Sequence, residues 1–414
     1  MGGVPPLTVC VIGAGPAGLM AAGEAAGAGA AVTCLEAGDR PGRKLLLTGK
    51  GRCNLSNTLP LEEFLEGFGA NGAFLRNGCH RFFSGHLREF LAGIGVETAI
   101  ERGGRIYPAR GGAAAVLAAL LAWARGRGVR LLLRHRATRV AREANGGFRV
   151  SGSGFEETAD RVVLAAGGAS YPHTGSRGDG YRIAASLGHR VVTPRPALVP
   201  LVCREPFIRR LAGLRLRNVR LIARPAGQPA IEAFGEVHAT PFGISGPAVF
   251  PMSARIGELA ESAPVPMFID LKPGLDAAKL EARLERELAS PGRTLSAAVA
   301  TLVPRQLVPV LLETAGLDGA VPASRTASAA RKALLGLLQA FPCTAVGTLP
   351  IAKGMATAGG VDLREVHPVT MESRLVPGLF FAGEVLDLDG DTGGYNLQAA
   401  FTTGYLAGRA AGTP

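Results

Sequence analysis

The stretch that most constrains the fold is "TVCVIGAGPAGLMAAGEAAGAGAAVTCLE", residues 8–36. A short apolar run over 7–12 has strand length, and a turn with the spacing Gly13-x-Gly15-x-x-Gly18 follows it. An Ala-rich helix over 19–28 and a second apolar run over 31–35 complete the unit. The pattern predicts strand, tight turn, helix and strand, which is the start of a parallel α/β sheet.

Each glycine of this turn has a physical role. Gly13 permits the tight turn, Gly15 lets a pyrophosphate approach the backbone, and Gly18 allows close packing of helix on strand. The helix start offers free N–H groups and positive dipole to phosphates. Glu36, 23 residues after Gly13, stands where an acceptor for ribose hydroxyls belongs. An acid there favours an adenosine without a 2′-phosphate, hence NAD or FAD.

The loop that follows, "GRKLLLTGKGRCNLSN" (42–57), favours FAD. Its apolar residues neither alternate with polar ones, as in a strand, nor recur every three to four residues, as in a helix. A cationic loop at this place can lie along the diphosphate and reach an isoalloxazine ring. No second G-x-G-x-x-G stands between a strand and a helix, so we expect one tightly held dinucleotide.

A second glycine-rich junction lies near the end of the chain, in 377–408. A buried strand delivers Gly383 and Glu384, and the acid suits the ribityl hydroxyls of a flavin. The run from Thr392 to Asn396 opens the last helix, whose free N–H groups are expected to face the N1/C2-carbonyl edge of the ring. A third junction, "VVLAAGGAS" (162–170), is placed near the adenine or the pyrophosphate.

Between these junctions the pattern changes. From about residue 190, strand-like runs bounded by Pro and Gly predict antiparallel sheet. Ser245-Gly246-Pro247 predicts the start of a helix that continues to about Ile256. Residues 276–340 are helical in pattern, and the runs 129–143 and 147–154 predict a pair of strands. The middle of the chain therefore appears as an insertion with a β-rich and a helical part.

The chain resembles the bacterial three-domain FAD-dependent flavoproteins, a family that includes aminoacetone oxidases and bile-acid (steroid enoyl) reductases. The resemblance rests on "VIGAGPAGLMAA", "GRKLLLTGKGRCNLSN", "GGASYPHTGSRGDGYRIAASLGH", "ATPFGISGPAVF", "GGVDLREV" and "TMESRLVPGLFFAGEVLDLDGDTGGYNLQAAFTTG". It implies an α/β fold in which a doubly wound Rossmann-type FAD-binding domain (1–190 and 355–414) is interrupted. The insert would comprise a β-barrel-like domain (191–275 and 341–354) and a helical subdomain (276–340).

The motifs and the resemblance together give a set of residues expected to bind FAD. They are Gly13, Ala14, Gly15, Pro16, Ala17, Gly18, Glu36, Ala37, Arg43, Lys44, Gly49, Gly51, Arg52, Cys53, Asn54, Ala166, Gly167, Gly168, Gly383, Glu384, Thr392, Gly393, Gly394, Tyr395, Asn396 and Leu397. No catalytic residue is identified. Tyr171, His173 and Cys53 are weak candidates, the first two as proton donors and the last as a redox partner.

Composition excludes several other classes. The apolar run 113–124 is too short to span a bilayer, and the N-terminus has no signal-peptide pattern, which predicts a cytoplasmic protein. Six scattered Cys without a C-x-x-C pair argue against structural zinc, and no metal is expected. The formal net charge of +12 is spread along the chain, so nucleic acid is an unlikely partner and a small molecule the expected one. The oligomeric state is open.

The function predicted from the sequence is therefore an FAD-dependent oxidoreductase. Reduction or oxidation of a small organic substrate, with NADH or NADPH as a transient reductant, is the first hypothesis. The alternatives are an amine oxidase that uses O₂ and releases H₂O₂, and an RNA-associated flavin-binding protein.

Overall fold

The computed structural model describes residues 6–144 and 146–413. Its elements up to residue 190 are, in chain order, β1 (Thr8–Ile12), α1 (Pro16–Gly27), β2 (Ala31–Glu36), β3 (Ser56–Asn57), α2 (Leu61–Glu66), α3 (Gly72–Arg81), α4 (Ser84–Gly93), β4 (Thr98–Glu101), β5 (Arg105–Pro108), α5 (Gly112–Gly126), β6 (Arg130–Leu133), β7 (Ala137–Arg142), β8 (Phe148–Gly152), β9 (Phe155–Ala159), β10 (Arg161–Leu164) and α6 (Asp179–Ser186).

The middle of the chain is β-rich at first and then helical. It contains β11 (Val191–Ala197), β12 (Leu201–Cys203), α7 (Phe207–Arg210), β13 (Arg215–Ala223), β14 (Ile231–Thr240), β15 (Gly243–Ser245), α8 (Phe250–Ser262), β16 (Val265–Asp270), α9 (Ala277–Leu288), α10 (Leu295–Val299), α11 (Val308–Thr314), α12 (Ser328–Gln339) and β17 (Phe341–Thr348). The last part adds β18 (Ala356–Val361), β19 (Leu379–Phe381) and α13 (Tyr395–Gly412).

The chain divides into two compact units, residues 1–195 with 351–414, and residues 196–350. The first unit is built on a five-stranded sheet in the order β19–β10–β1–β2–β6. All four strand pairings in it are parallel. The carboxyl ends of β1, β2, β10 and β19 therefore lie at one edge of the sheet. That edge carries three of the glycine-rich junctions.

The second unit contains a closed barrel of six antiparallel strands, in the order β12–β15–β14–β13–β16–β17. The helices of the segment 276–340 share the barrel's hydrophobic core. In α9, Leu280, Leu284 and Leu288 recur every four residues and are buried in that core, which explains the helical period of the sequence. The predicted class, α/β with an interrupting barrel, is confirmed.

Two local predictions are wrong. The run 129–143 does not form one strand of a pair, because Arg134 adopts a left-handed conformation (φ +60°) that breaks it. β6 joins the parallel sheet beside β2, whereas β7 pairs with β8 in another sheet. Ser245 likewise does not cap a helix but ends β15. Gly246 (φ +112°) lets the chain pass so close to β14 that a Cβ there would lie 2.7 Å from the Glu236 oxygen. The helix begins only at Phe250.

Among residues 6–144 and 146–413, no helix combines the length and the apolar character that crossing a membrane requires. No grouping of three or more His, Cys, Asp or Glu side chains suited to a metal ion occurs within the same ranges.

Candidate functional site

The turn after β1 has the geometry that its glycine spacing predicts. A Cβ on Gly13 (φ +106°) would lie 2.4 Å from the Ala165 carbonyl oxygen, and one on Gly18 would lie 1.8 Å from the Gly13 oxygen. Both positions therefore require glycine for packing. A Cβ on Gly15 would meet no atom within 4 Å. The backbone at Gly15 thus faces open space, as a phosphate cradle requires.

Glu36 links the end of β2 to this turn. Its Oε2 accepts a hydrogen bond from the Ala14 N–H (3.1 Å), and its Oε1 accepts one from the Gly38 N–H (2.7 Å). A carboxylate has more acceptor positions than these two bonds use. Glu36 therefore holds the turn in place and retains capacity for a ribose hydroxyl.

Two helices begin near this edge without a side-chain cap, α1 after Gly15 and α13 after Gly394. The first backbone bonds back to the cap residues come from Leu19 and Gln398. The earlier N–H groups of both helices have no hydrogen-bond partner among the described residues. Each helix start therefore presents orphan donors and positive dipole to a ligand.

The two ends of the chain meet along α1 and α13. A Cβ on Gly404 would lie 2.4 Å from the Ala17 oxygen, and a Cβ on Gly408 would lie 2.3 Å from the Ala21 oxygen. Because the residue numbers in α13 (404, then 408) and in α1 (17, then 21) increase in the same direction, the two helices run parallel. Gly404 is nine residues into α13 and Ala17 one residue into α1, so the two helix starts are offset along the helix axes by eight residues, or about 12 Å at 1.5 Å per residue. A ligand that reaches both helix starts must be extended.

The cationic loop 42–57 connects the two helix starts. At one end the Gly42 N–H donates to the Ala14 oxygen (3.0 Å). At the other end, in the amide orientation that satisfies both of its polar atoms, Asn54 Oδ1 accepts from the Gly394 N–H (3.2 Å). A Cβ on Gly394 would lie 2.5 Å from the backbone of Ser56. The loop thus spans the distance between the motif at the start of the chain and the one at its end.

Lys44 and Glu384, both expected to contact the cofactor, also contact each other. Lys44 Nζ lies 2.5 Å from Glu384 Oε2 and 2.6 Å from Ser170 Oγ. Ser170 Oγ donates to Glu384 Oε1 (3.2 Å), which also accepts from the Thr357 N–H (2.9 Å). The network ties the loop to the ends of β10 and β19. Sequence reasoning missed Ser170 and Thr357, although Ser170 ends the quoted run "VVLAAGGAS".

The remaining predicted residues occupy several kinds of position. Gly168 approaches Glu384 and Thr357, while Gly383 (φ +74°) packs on Ala17. Gly167, Gly49, Gly51 and Gly393 all adopt positive φ, and the Gly393 oxygen accepts from Asn57. Ala37 directly follows β2, Ala166 lies in the junction after β10, and Thr392 lies in the junction before α13.

Four predicted side chains bind other protein groups. Arg43 lies 3.7 Å from Asp39, and Arg52 pairs with Glu101. The Tyr395 ring stacks on Phe64 at 4.8 Å. The Asn396 amide donates to the Gly390 oxygen and so shapes the preceding loop. These residues can therefore contact a ligand only through their backbone or through side-chain atoms that the protein contacts leave free.

The weak catalytic candidates differ in their surroundings. Tyr171 is half-buried in the turn after β10, and burial raises the pKa of its hydroxyl. The exposed His173 ring lies 5.7 Å from the Tyr171 ring. Burial raises the pKa of Cys53 to about 11, so its thiol is protonated at neutral pH. That environment is unfavourable for a redox-active thiolate.

An acidic loop before α13 contains Asp387, Asp389 and Asp391, none of which is among the residues predicted to bind FAD. Burial raises the pKa of Asp389 to about 6, and the neighbouring charge of Asp387 adds to the effect. Burial also raises the pKa of Asp387 and of Asp391. The sequence shows three aspartates at alternate positions. Only the structure shows that they are buried close together.

A Ser–His–Glu cluster elsewhere in the first unit is structural. His189 Nε2 lies 2.9 Å from Ser373 Oγ, and its Nδ1 lies 3.2 Å from Glu365 Oε2. Ser373 Oγ is buried and accepts from the N–H groups of Leu375 and Val376. A hydroxyl held in a turn in this way is not presented to a substrate.

Comparison with known proteins identifies the family. The family model described as "HI0933-like protein Rossmann domain" matches residues 7–410. The chain belongs to the HI0933-like family. The resemblance stated from the sequence, to a family of FAD-binding Rossmann-type oxidoreductases, is confirmed.

Curated relatives of two kinds match over nearly the whole chain. A 3-dehydro-bile acid delta(4,6)-reductase of Clostridium scindens is 36% identical over 405 residues, which are 97% of this chain and 98% of the relative. A ribosomal RNA dihydrouridine synthase of Escherichia coli is 31% identical, over 95% of each chain. A protein of the same name from Haemophilus influenzae is 30% identical, over 95% of this chain and 96% of the relative.

Solved structures share the fold at low sequence identity. A 3-ketosteroid Δ1-dehydrogenase from Sterolibacterium denitrificans has a TM-score of 0.54 at 14% identity, over 98% of this chain and 99% of that one. A 3-ketosteroid-Δ4-(5α)-dehydrogenase from Rhodococcus jostii has a TM-score of 0.51 at 19% identity, over 99% and 97% of the two chains.

Proposed function

We propose that this protein is an FAD-dependent reductase that adds hydrogen across a C=C bond conjugated to a carbonyl group, with NADH or NADPH as the reductant. The two kinds of curated relative support the reaction class. A Δ4,6-reductase of a 3-dehydro compound and a dihydrouridine synthase both have names that denote saturation of a double bond next to a carbonyl. We therefore assign to this chain the reaction that the two kinds of relative share, which is saturation of a C=C bond next to a carbonyl group.

The observation that carries the proposal is the pair of uncapped helix starts joined by the loop 42–57. Gly15 and the start of α1 would hold the diphosphate, and Glu36 would accept from a ribose hydroxyl. The Lys44–Glu384 pair, which joins the loop 42–57 to the end of β19, would bind the ribityl hydroxyls. The start of α13 would face the redox ring. Bound there, FAD supplies the hydride.

The chain's own residues provide the remaining requirements. The orphan N–H groups at the start of α13 stabilise negative charge, which favours a reduced cofactor. Saturating a C=C bond also takes a proton. Tyr171 is the candidate donor, because it carries a hydroxyl and directly follows Ser170 of the Lys44–Glu384 network. The reductant docks transiently, since the sequence has no second dinucleotide-binding turn.

The experiment is spectroscopic. Purified protein should be yellow and release FAD, rather than FMN, on denaturation. Under anaerobic conditions NADH or NADPH should bleach the flavin, and a 3-oxo-Δ4 steroid should restore its colour. Bleaching by amines instead would establish the amine oxidase alternative. A colourless protein that takes up no FAD on reconstitution would refute the proposal.

The second candidate within this reaction class is reduction of uridine in ribosomal RNA. Two relatives of that name match over 95% of the chain, and the formal net charge is +12. This candidate conflicts with the expectation that nucleic acid is not a partner. Mass spectrometry of the protein's own ribosomal RNA, with and without the gene, distinguishes the candidates, because loss of the gene should remove one dihydrouridine.

A further inference from the structure

The loop 42–57 and the β3–β5–β4 sheet beside it carry five exposed cations that the cofactor site does not fully use. We call Lys50, Arg52, Arg102, Arg105 and Arg110 the cationic face. They are contiguous in the fold. Arg105 on β5 lies opposite Glu101 on β4, and Arg52 pairs with that same glutamate. A Cβ on Gly112 would lie 2.3 Å from the Gly51 oxygen, so Arg110 is also close to the loop.

The charge of the cationic face is poorly balanced. Arg102, Arg105 and Arg110 have no ion pair or side-chain hydrogen bond among the described residues. The nearby acids in sequence are Glu97 and Glu101, and Glu101 already pairs with Arg52. Unpaired like charges repel each other and attract a polyanion. Five cations exceed what a single carboxylate on a small substrate can neutralise.

The cationic face also offers a plane on which a base can stack. The guanidinium carbon of Arg52 lies 4.4 Å from the centroid of the Tyr107 ring. The Arg52 side chain is 57% exposed although it pairs with Glu101. Bases of single-stranded RNA stack on arginine planes, while arginine forks bind phosphates.

The cationic face lies next to the proposed reaction site. Arg52 precedes Asn54 by two residues, and Asn54 binds the Gly394 N–H at the start of α13. β3 packs against Gly394 and pairs directly with β5. A chain of nucleotides on the cationic face would therefore reach the place where the redox ring is proposed to lie.

We propose that the cationic face binds the phosphates and one base of a single-stranded RNA segment and so presents a neighbouring uridine to the reductase site. This inference rests on the proposed function, of which it names the substrate class. A surface of this composition fits RNA better than a steroid, which offers neither repeated phosphates nor bases.

The test measures RNA binding by the full-length, FAD-loaded protein. The probe is a fluorescein-labelled 20-nucleotide single-stranded RNA of mixed, uridine-containing sequence. The variant R102Q/R105Q/R110Q is compared with R125Q/R139Q/R305Q, which removes three exposed arginines elsewhere. The slope of log K against log salt should fall by about 2 in the first variant, since each lost phosphate contact on a single strand contributes about 0.7. The control should keep the wild-type slope.

Further readouts make the result decisive. Phenylglyoxal modification of the wild-type protein, mapped by mass spectrometry, should be blocked by RNA at Arg102, Arg105 and Arg110 but not at the control arginines. This measurement needs no variant to fold. Equal slopes for both variants, no RNA binding by wild type, or binding to phosphatidylglycerol vesicles without RNA binding would overturn the inference. Flavin content and anaerobic bleaching of the flavin by NADH or NADPH, measured in parallel, test the proposed function separately, because neither measurement needs RNA.

Discussion

At the scale of single residues, the turn after β1 separates packing from binding. A Cβ on Gly13 or Gly18 would collide with backbone atoms, whereas a Cβ on Gly15 would meet no atom within 4 Å. All three look equivalent in the G-x-G-x-x-G pattern. Only the structure shows that two of them are needed to fold and that the third leaves room for a ligand.

Matched alanine substitutions test this difference. Gly13→Ala should destabilise the protein by about 1–3 kcal/mol, because the residue has positive φ and its Cβ would meet the Ala165 oxygen. Gly15→Ala should leave the melting temperature of the apoprotein unchanged but weaken FAD binding by about tenfold, or about 1.4 kcal/mol. Thermal denaturation and FAD titration measure the two effects. Unaltered FAD affinity in Gly15→Ala would place the diphosphate elsewhere.

The acidic loop gives a prediction for pH. The pKa of Asp389 is raised to about 6, above its usual value of 3.8, so the folded state binds the proton more tightly than the unfolded state. The stability contributed by this group is present at low pH and is lost as pH rises from about 4 to about 6. Asp389→Asn removes the dependence and should stabilise the apoprotein at pH 7 by up to about 3 kcal/mol.

The matched control for that prediction is Glu66→Gln, which changes an exposed acid in the same unit. Urea denaturation at pH 4, 5, 6 and 7 gives the free energy of unfolding for each variant. A constant difference between Asp389→Asn and wild type across this range would show that the carboxyl titrates normally.

At the scale of elements, α13 depends on glycine to approach α1. Gly404 and Gly408 are four residues apart and face Ala17 and Ala21 at the same spacing. Small residues allow the two backbones to come close, which brings both helix starts to one site. Close packing of these helices is therefore a condition for the cofactor site.

A glycine in each of two helices tests this packing. Gly408→Ala should cost about 1–3 kcal/mol, because its Cβ would lie 2.3 Å from the Ala21 oxygen and force the helices apart. Gly336→Ala, in α12, has no atom within 4 Å of its Cβ and should stabilise by up to about 1 kcal/mol through helix propensity. Denaturant-induced unfolding gives the free energy of unfolding of both variants and of the wild type. Similar effects of both changes would mean that α13 tolerates separation from α1.

At the scale of the whole molecule, the chain has two hydrophobic cores. One belongs to the parallel-sheet unit and the other to the barrel with its helices. The cofactor-binding residues predicted from the sequence all lie in the first unit. A ligand at that site should stabilise the first unit directly.

The single tryptophan makes this measurable. Trp123 lies in α5 and reports on the first unit alone. We expect two thermal transitions, of which tryptophan fluorescence follows one and circular dichroism both. FAD at 100 times its dissociation constant should stabilise the Trp123 transition by about 2.7 kcal/mol and leave the other unchanged. Equal shifts of both transitions would show that the units unfold together.

The sequence by itself determined the first βα unit, the helical period of α9 and the positions of the glycine-rich junctions, because each is a local pattern of a few residues. It also indicated the family. Tertiary structure alone decided that Arg134 divides a predicted strand between two sheets, that Lys44 pairs with Glu384, and that Ser170 and Thr357 complete their network. The physical reason is range: these contacts join residues far apart in the chain, and no spacing in the sequence encodes which distant groups packing will bring together.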